Sequence, residues 1–96
     1  MPTYVVLCNL TQQGVQNAKE IPQRREAAKA AAKELGITLR EGLMTMGQYD
    51  VVLIMEAPDD EAMAKFALQS GMRGSLRTQT MRAFTEAEVD ALTASL

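Results

Sequence analysis

The sequence predicts an α+β fold in which strands and helices follow the order β-α-β-β-α-β, with a short helix after the last strand. Two apolar runs of five residues, 4–8 and 51–55, are too short for helices and rich in residues that favour strands. An alanine-rich segment, 22–35, has the spacing of an amphipathic helix. With 96 residues, the chain is expected to form one domain over residues 1–96.

The first half of the chain is predicted as a strand, a connection and a helix. Residues 3–10 read as a strand that is apolar on both faces. Residues 11–20 read as a connection with at most one helical turn. The helix starts near Pro22, whose missing N–H costs nothing in the first turn, and stops before Gly36.

A hairpin is predicted in the middle of the chain. Residues 37–46 alternate roughly between apolar and polar side chains, with Gly42 as the expected bulge. Residues 47–50 form a turn in which Gly47 is expected to adopt a positive φ. The apolar strand 51–55 follows, and strand, short glycine-led turn and strand together are typical of a hairpin.

The last third of the chain is predicted as a helix, an edge strand and a short helix. Acidic residues at 59–61 suit the positive end of a helix dipole, and Gly71 is expected to end that helix. Residues 73–83 are polar on both faces, as an edge strand would be. Thr85 and Glu88 form a capping-box pattern at the start of the final helix.

This order of elements is that of the ferredoxin-like plan, with strand order fourth, first, third, second. Right-handed crossovers place both long helices on one face of the antiparallel sheet. The central strands are apolar on both faces, so either Val5 and Leu7 or Val6 and Cys8 lie on the face without helices. Residues 85–96 could cover that face, or a second copy could. Because twelve residues make a helix only ~18 Å long, we favour two chains paired face to face, with the C-terminal segment packing across the partner.

Four motifs carry a resemblance to a known family. Gly-x-Tyr-Asp occupies residues 47–50. It follows a Tyr-Val-Val-Leu run at 4–7 and precedes an acidic helix start at 56–61 and an Arg-Thr-rich strand at 77–85. On these motifs the chain is identified as a member of the GYD-domain family. The resemblance implies the dimeric α/β barrel, in which ferredoxin-like domains pair face to face. Haem-handling relatives in that superfamily use a His ligand, which this chain lacks.

Composition excludes several classes of function. Ten Lys and Arg against twelve Asp and Glu give a net charge of −2, which argues against a nucleic-acid partner. The chain has no His and one Cys, so we expect no metal, no cofactor and no disulfide. The first residues lack a basic region and a long apolar run, so we expect no signal peptide, no membrane association and a cytoplasmic location.

The topology predicts a candidate ligand site at one end of the sheet. The end of the first strand, the hairpin tip and the start of the fourth strand meet there. Six polar residues are brought together by this argument: Asn9, Thr11, Tyr49, Asp50, Arg73 and Arg77. Such a rim beside an apolar barrel mouth suits a small molecule, with Arg77 holding a carboxylate. The alternative is that Tyr49 and Asp50 only build the turn.

Three functions fit this pattern. The first is a homo-oligomer that binds a small molecule at the barrel mouth. The second is an enzyme resembling the cofactor-independent monooxygenases of the superfamily, with polar groups that stabilise an anion beside an apolar cavity. No catalytic residue is assigned for it. The third is a structural assembly subunit with a solid interior. The fold does not decide among them.

Overall fold

A computed structural model describes all residues, 1–96, and has the predicted order of elements. The strands are β1 (Thr3–Leu10), β2 (Thr38–Met44), β3 (Val51–Glu56) and β4 (Leu76–Ala83). The helices are α1 (Gln12–Gln16), α2 (Ile21–Glu34), α3 (Asp60–Met72) and α4 (Glu86–Ala94), with one 3-10 turn at Ala18–Glu20. The sheet is antiparallel in the order β2-β3-β1-β4, which confirms the predicted ferredoxin-like fold and strand order for the single chain.

The two faces of the sheet are now assigned. On β1, Tyr4, Val6 and Cys8 point towards the helices and are at most 3% exposed. Val5 and Leu7 alternate with them and therefore lie on the face without helices. The sequence left both sets open because both are apolar.

The core fills the space between the sheet and the long helices. Met55 of β3 is 1% exposed and packs with Met63 and Phe66 of α3. Ala32 is the buried residue of α2, and its small side chain brings the helix backbone close to the sheet. Thirteen of the 96 residues are buried, so the core is thin.

Three predictions about glycines are wrong. Gly71 does not end α3, which continues to Met72, and the positive φ that turns the chain belongs to Gly74 at 81°. For this reason β4 begins at Leu76 and not at residue 73. Gly47 has no positive φ, because hydrogen bonds of Thr45 close the turn. The irregularity in β2 lies between Leu39 and Glu41 and not at Gly42.

The connection between β1 and α2 is more ordered than expected. It contains α1 and a 3-10 turn, and Gly14 of α1 packs against the backbone of Ser75. A Cβ at Gly14 would lie 2.2 Å from the carbonyl oxygen of Ser75, so only glycine fits there. This close approach fixes α1 at the end of the sheet where β4 begins. None of the helices in the chain has the length and apolarity needed to cross a membrane.

The buried thiol of Cys8 yields a prediction. Cys8 is 0% exposed, and burial raises its pKa from 9.0 to about 11. We expect native protein to react with a thiol reagent at pH 8 at least tenfold more slowly than protein unfolded in urea. Because the folded pKa is the higher one, the stability from this group is present below pH 9 and is lost as the pH rises towards 11. Equal rates for native and unfolded protein would contradict this account.

Candidate functional site

The Gly-x-Tyr-Asp hairpin turn is closed by Thr45, two residues before it. The backbone N–H of Thr45 donates to the carbonyl oxygen of Asp50 at 2.8 Å. The Thr45 hydroxyl donates to the carbonyl oxygen of Tyr49. These two bonds hold the turn in shape and leave the Tyr49 ring free to extend over the sheet.

Asp50 joins the hairpin to β1. Its backbone N–H donates to the carbonyl oxygen of Cys8 at 2.9 Å, and its Oδ2 accepts from the backbone N–H of Leu10 at 2.8 Å. The carboxylate thus satisfies a backbone donor near the end of β1, where the pairing with β3 stops at Cys8. Asp50 therefore links the hairpin turn to the end of β1.

Tyr49 lies over a hollow at the same end of the sheet. Its hydroxyl donates to Oε1 of Gln79 at 3.2 Å. The hollow has a volume of about 250 Å³. Its lining residues come from β1, β4 and the hairpin turn: Leu7, Asn9, Tyr49, Arg77, Thr78 and Gln79. Three of the six predicted site residues, Asn9, Tyr49 and Arg77, are therefore brought together here.

The remaining predicted site residues lie elsewhere or are otherwise engaged. Thr11 is the N-cap of α1, where its hydroxyl accepts from Gly14 N–H at 3.1 Å and donates to the carbonyl oxygen of Gly74 at 2.6 Å. Arg73 follows the last turn of α3 and does not line the hollow. Asp50 is occupied by the backbone of β1.

The charge of the hollow comes from Arg77. The side chains of Arg77 and Asn9 share the open face because these residues are opposite each other in the β1–β4 register. Four ion pairs form in the chain, and Arg77 belongs to none of them. The guanidinium thus has donors available for an anion.

The apolar centre of the sheet borders this hollow. We define the open face as the side of the sheet without helices, centred on Val5, Leu7, Val52 and Ile54 of the two middle strands. Leu43 of β2 and Met81 of β4 flank it in register and are 49% and 42% exposed. An ion pair of 2.8 Å between Arg40 and Glu56 lies at the end opposite the hollow. The open face thus has an apolar centre and polar ends, a pattern that is typical of protein interfaces.

The helix α4 does not cover the open face. None of its residues is buried, and Val89 and Leu92 are 44% and 52% exposed. An ion pair of 3.6 Å between Arg82 and Glu88 joins its first turn to β4. The chain therefore leaves both its open face and the apolar side of α4 uncovered.

A second hollow, of about 300 Å³, lies on the helix side of the sheet. The Tyr4 hydroxyl donates to a carboxylate oxygen of Asp60, and Arg82 stacks 5.7 Å from the centre of the Tyr4 ring. The hydrogen bond to Asp60, followed by burial, raises the pKa of Tyr4. The Tyr4 hydroxyl and the Asp60 carboxylate thus satisfy each other in this hollow, and Arg82 stacks on the Tyr4 ring. No group of three or more Cys, Asp or Glu residues is arranged to hold a metal ion.

The sequence alone did not identify three residues that line the hollow, Leu7, Thr78 and Gln79, or the role of Thr45 in closing the turn. The sequence predicts only that Leu7 lies on one face of an apolar strand and that Gln79 lies in an edge strand. The β1–β4 register places Leu7 opposite Gln79, which brings both into the hollow with Asn9 and Arg77. The sequence of the fourth strand does not show which of its residues lie opposite those of β1, because that depends on the register of the pairing.

The family prediction can now be compared with known proteins. The family model described as GYD domain matches residues 4–93. The chain belongs to the GYD domain family. The match includes the hairpin, the open face and all but the last residue of α4. The Tyr and Asp of the turn thus have different contacts in this GYD domain. Tyr49 donates to Gln79 over the hollow, and Asp50 accepts from the backbone of β1.

One relative and two solved structures resemble this GYD domain. The relative is the glutamine synthetase and cystathionine beta-lyase binding protein of Thermus thermophilus, which is 32% identical over 92 residues, 95% of this chain and 97% of that protein. The structure of TTHA0845 from Thermus thermophilus matches with a TM-score of 0.57 and 26% identity, over 88% of this chain and 95% of that one. FFRP-DM1 matches with a TM-score of 0.59 and 17% identity, over 88% of this chain and 100% of that one, and shows the fold alone.

Proposed function

We propose that this GYD domain functions as a homodimer that binds a small anionic molecule at the edge of its dimer interface. The observation that carries the proposal is the uncovered apolar centre of the sheet. Pairing two open faces would bury the apolar residues of both copies and turn the two hollows into parts of one shared chamber. This is a role in binding and assembly, with the chain's own second copy as the first partner.

The surface area of the chain supports the dimer. The accessible surface is 6614 Å² for a mass of 10.5 kDa. A compact monomer of that mass is expected to expose about 5,400 Å², so the excess is about 1,200 Å². A standard interface buries about 800 Å² per partner. The excess is therefore large enough to supply such an interface.

The chemistry of the hollow supports an anionic ligand. Arg77 has no ion-pair partner, and the Asn9 amide adds a further donor beside it, whereas the Tyr49 hydroxyl already donates to Gln79. A guanidinium binds a planar carboxylate through two parallel hydrogen bonds. Leu7 supplies an apolar wall for the rest of the molecule. A carboxylate with a short apolar body fits these groups, and closure by a second copy would keep water away from it.

The ligand is tested by native mass spectrometry of the purified oligomer. We expect an extra mass that co-purifies with the wild-type protein and is lost or at least tenfold reduced in Arg77→Gln, since a charged hydrogen bond is worth about 1.5–3 kcal/mol. Arg25→Gln on the exposed surface of α2 is the matched control and should retain the mass. Absence of a bound mass in the wild type, or its retention in Arg77→Gln, would contradict the ligand role.

A second candidate function rests on the Thermus relative. Its name describes a protein that binds two enzymes, and the likeness extends over 95% of this chain. On that ground, binding of another protein is the alternative to binding of a small molecule. Pull-down with glutamine synthetase and with cystathionine beta-lyase separates them, because the alternative requires stoichiometric retention of an enzyme and the primary proposal requires none.

A further inference from the structure

The C-terminal helix α4 has a sharply defined start. Thr85 Oγ1 accepts from the backbone N–H of Glu88 at 3.2 Å, and Glu88 Oε1 accepts from the backbone N–H of Thr85 at 2.9 Å. The bond from the Thr85 backbone is the main reason why the pKa of Glu88 is lowered. The sequence thus specifies a helix at this place, although none of the residues of the helix is buried.

The apolar side of α4 has no partner within its own chain. Val89, Leu92 and Leu96 recur at helical spacing and are 44%, 52% and 100% exposed. Phe84, just before the helix, is 53% exposed. A helix of nine residues is shorter than the roughly 12–15 residues at which isolated helices become marginally stable in water. The helix therefore needs a packing surface that its own chain does not supply.

The position of α4 restricts where that surface can be. Only Phe84 and Thr85 separate β4 from α4, so the helix begins close to the end of β4, and none of its residues is buried there. Ala83, the last residue of β4, is opposite Thr3 on the open-face side of the register. The helix thus starts at the edge strand β4, where Glu88 in its first turn pairs with Arg82, whose guanidinium stacks on Tyr4. A copy seated on the open face would extend to this edge strand and so come close to α4.

The area of the chain points to the same occupant. The excess surface of about 1,200 Å² is larger than the roughly 800 Å² that each partner buries in a standard interface. The radius of gyration is 14.4 Å, whereas about 12.5 Å is expected for a compact chain of 96 residues. Both differences are those of a chain that carries an extended arm as well as an open face.

We infer that α4 is an arm that packs on the second copy in the dimer and not on its own chain. This inference rests on the proposed homodimer and adds to it. The arm contacts are reciprocal in a two-fold dimer, so each dimer buries two arms. The arm would hold the two sheets together from outside the paired faces, close to the end of the sheet opposite the hollow.

The first test is the dimer dissociation constant measured by analytical ultracentrifugation. Leu92→Glu is expected to raise it at least tenfold, because a charge would replace an anchor in an apolar contact. Ala87→Glu adds the same charge on the opposite side of α4 and is expected to leave the constant within threefold. Equal constants for both variants and the wild type would overturn the arm and leave the sheet pairing intact. A wild type that is monomeric at all concentrations would overturn the proposed homodimer itself.

The second test is amide hydrogen exchange over residues 86–94. In the wild-type dimer these amides are expected to be protected, and in a variant made monomeric through the open face they should exchange at nearly unfolded rates. Protection that persists in the monomeric variant would show that the chain stabilises α4 by itself, and would overturn the inference. This test does not depend on any variant within α4.

Discussion

Val52→Glu is expected to convert the proposed homodimer into a monomer of 10.5 kDa at micromolar concentration. Val52 lies on the open face between Leu7 and Leu43 in the register of the sheet. In a two-fold pair of open faces, each dimer would have to bury two added carboxylates in apolar surroundings. Burial of an unpaired charge is far more costly than the loss of a valine contact, so we expect the dissociation constant to rise at least a hundredfold. Light scattering measures the mass directly.

The matched control for Val52→Glu is Val15→Glu. Val15 is 57% exposed on α1, which is not part of the sheet, and the same substitution there should leave the dimer unchanged. The side chain of Val52 lies on the opposite side of the sheet from the core residues Val6 and Met55, so circular dichroism should show a folded variant. A folded Val52→Glu protein that remains dimeric would contradict the pairing of open faces.

Asp50→Ala is expected to destabilise the protein by about 1–3 kcal/mol, the cost of leaving a half-buried backbone donor without a partner. That donor is the N–H of Leu10, which binds Asp50 Oδ2 at 2.8 Å. Urea unfolding at one fixed protein concentration measures the loss, since dimer stability depends on concentration. Asp50→Asn keeps an oxygen acceptor and should recover part of the stability.

Tyr49→Phe separates the roles of the two signature residues. The Tyr49 hydroxyl makes one exposed hydrogen bond, to Gln79 at 3.2 Å, so its removal should change the free energy of unfolding by less than about 0.5 kcal/mol. Unchanged stability in Asp50→Ala would contradict the role of the carboxylate in linking the hairpin turn to β1. A large loss of stability in Tyr49→Phe would show that the tyrosine, too, serves the turn.

The strand order was predictable because it follows from the sequence of elements and the handedness of crossovers. The choice of buried face on β1 was not, since Tyr4, Val6 and Cys8 are as apolar as Val5 and Leu7. That choice depends on the three-dimensional position of α3, which no local pattern encodes. The capping box of Thr85 and Glu88 was predictable because its bonds join residues three positions apart.

The candidate site was predictable only in part. Sequence order placed Asn9, Tyr49 and Arg77 at one end of the sheet, where they line one hollow. It could not show that Asp50 accepts from Leu10 or that Thr11 donates to Gly74, because those bonds connect residues far apart in the chain. Polar side chains near strand ends thus divide into two groups, those that complete the backbone and those that remain available to a ligand.

The oxidation of methionines by hydrogen peroxide tests most directly whether a second copy covers the open face. Met81 lies on that face and is 42% exposed in the single chain, whereas Met46 and Met72 lie elsewhere and are 95% and 84% exposed. Sulfoxide formation follows access to the sulfur and is measured by mass spectrometry. We predict that Met81 oxidises at least tenfold more slowly in the wild type than in Val52→Glu, with Met46 and Met72 unchanged between the two proteins. Equal rates at Met81 in the two proteins would contradict the face-to-face dimer.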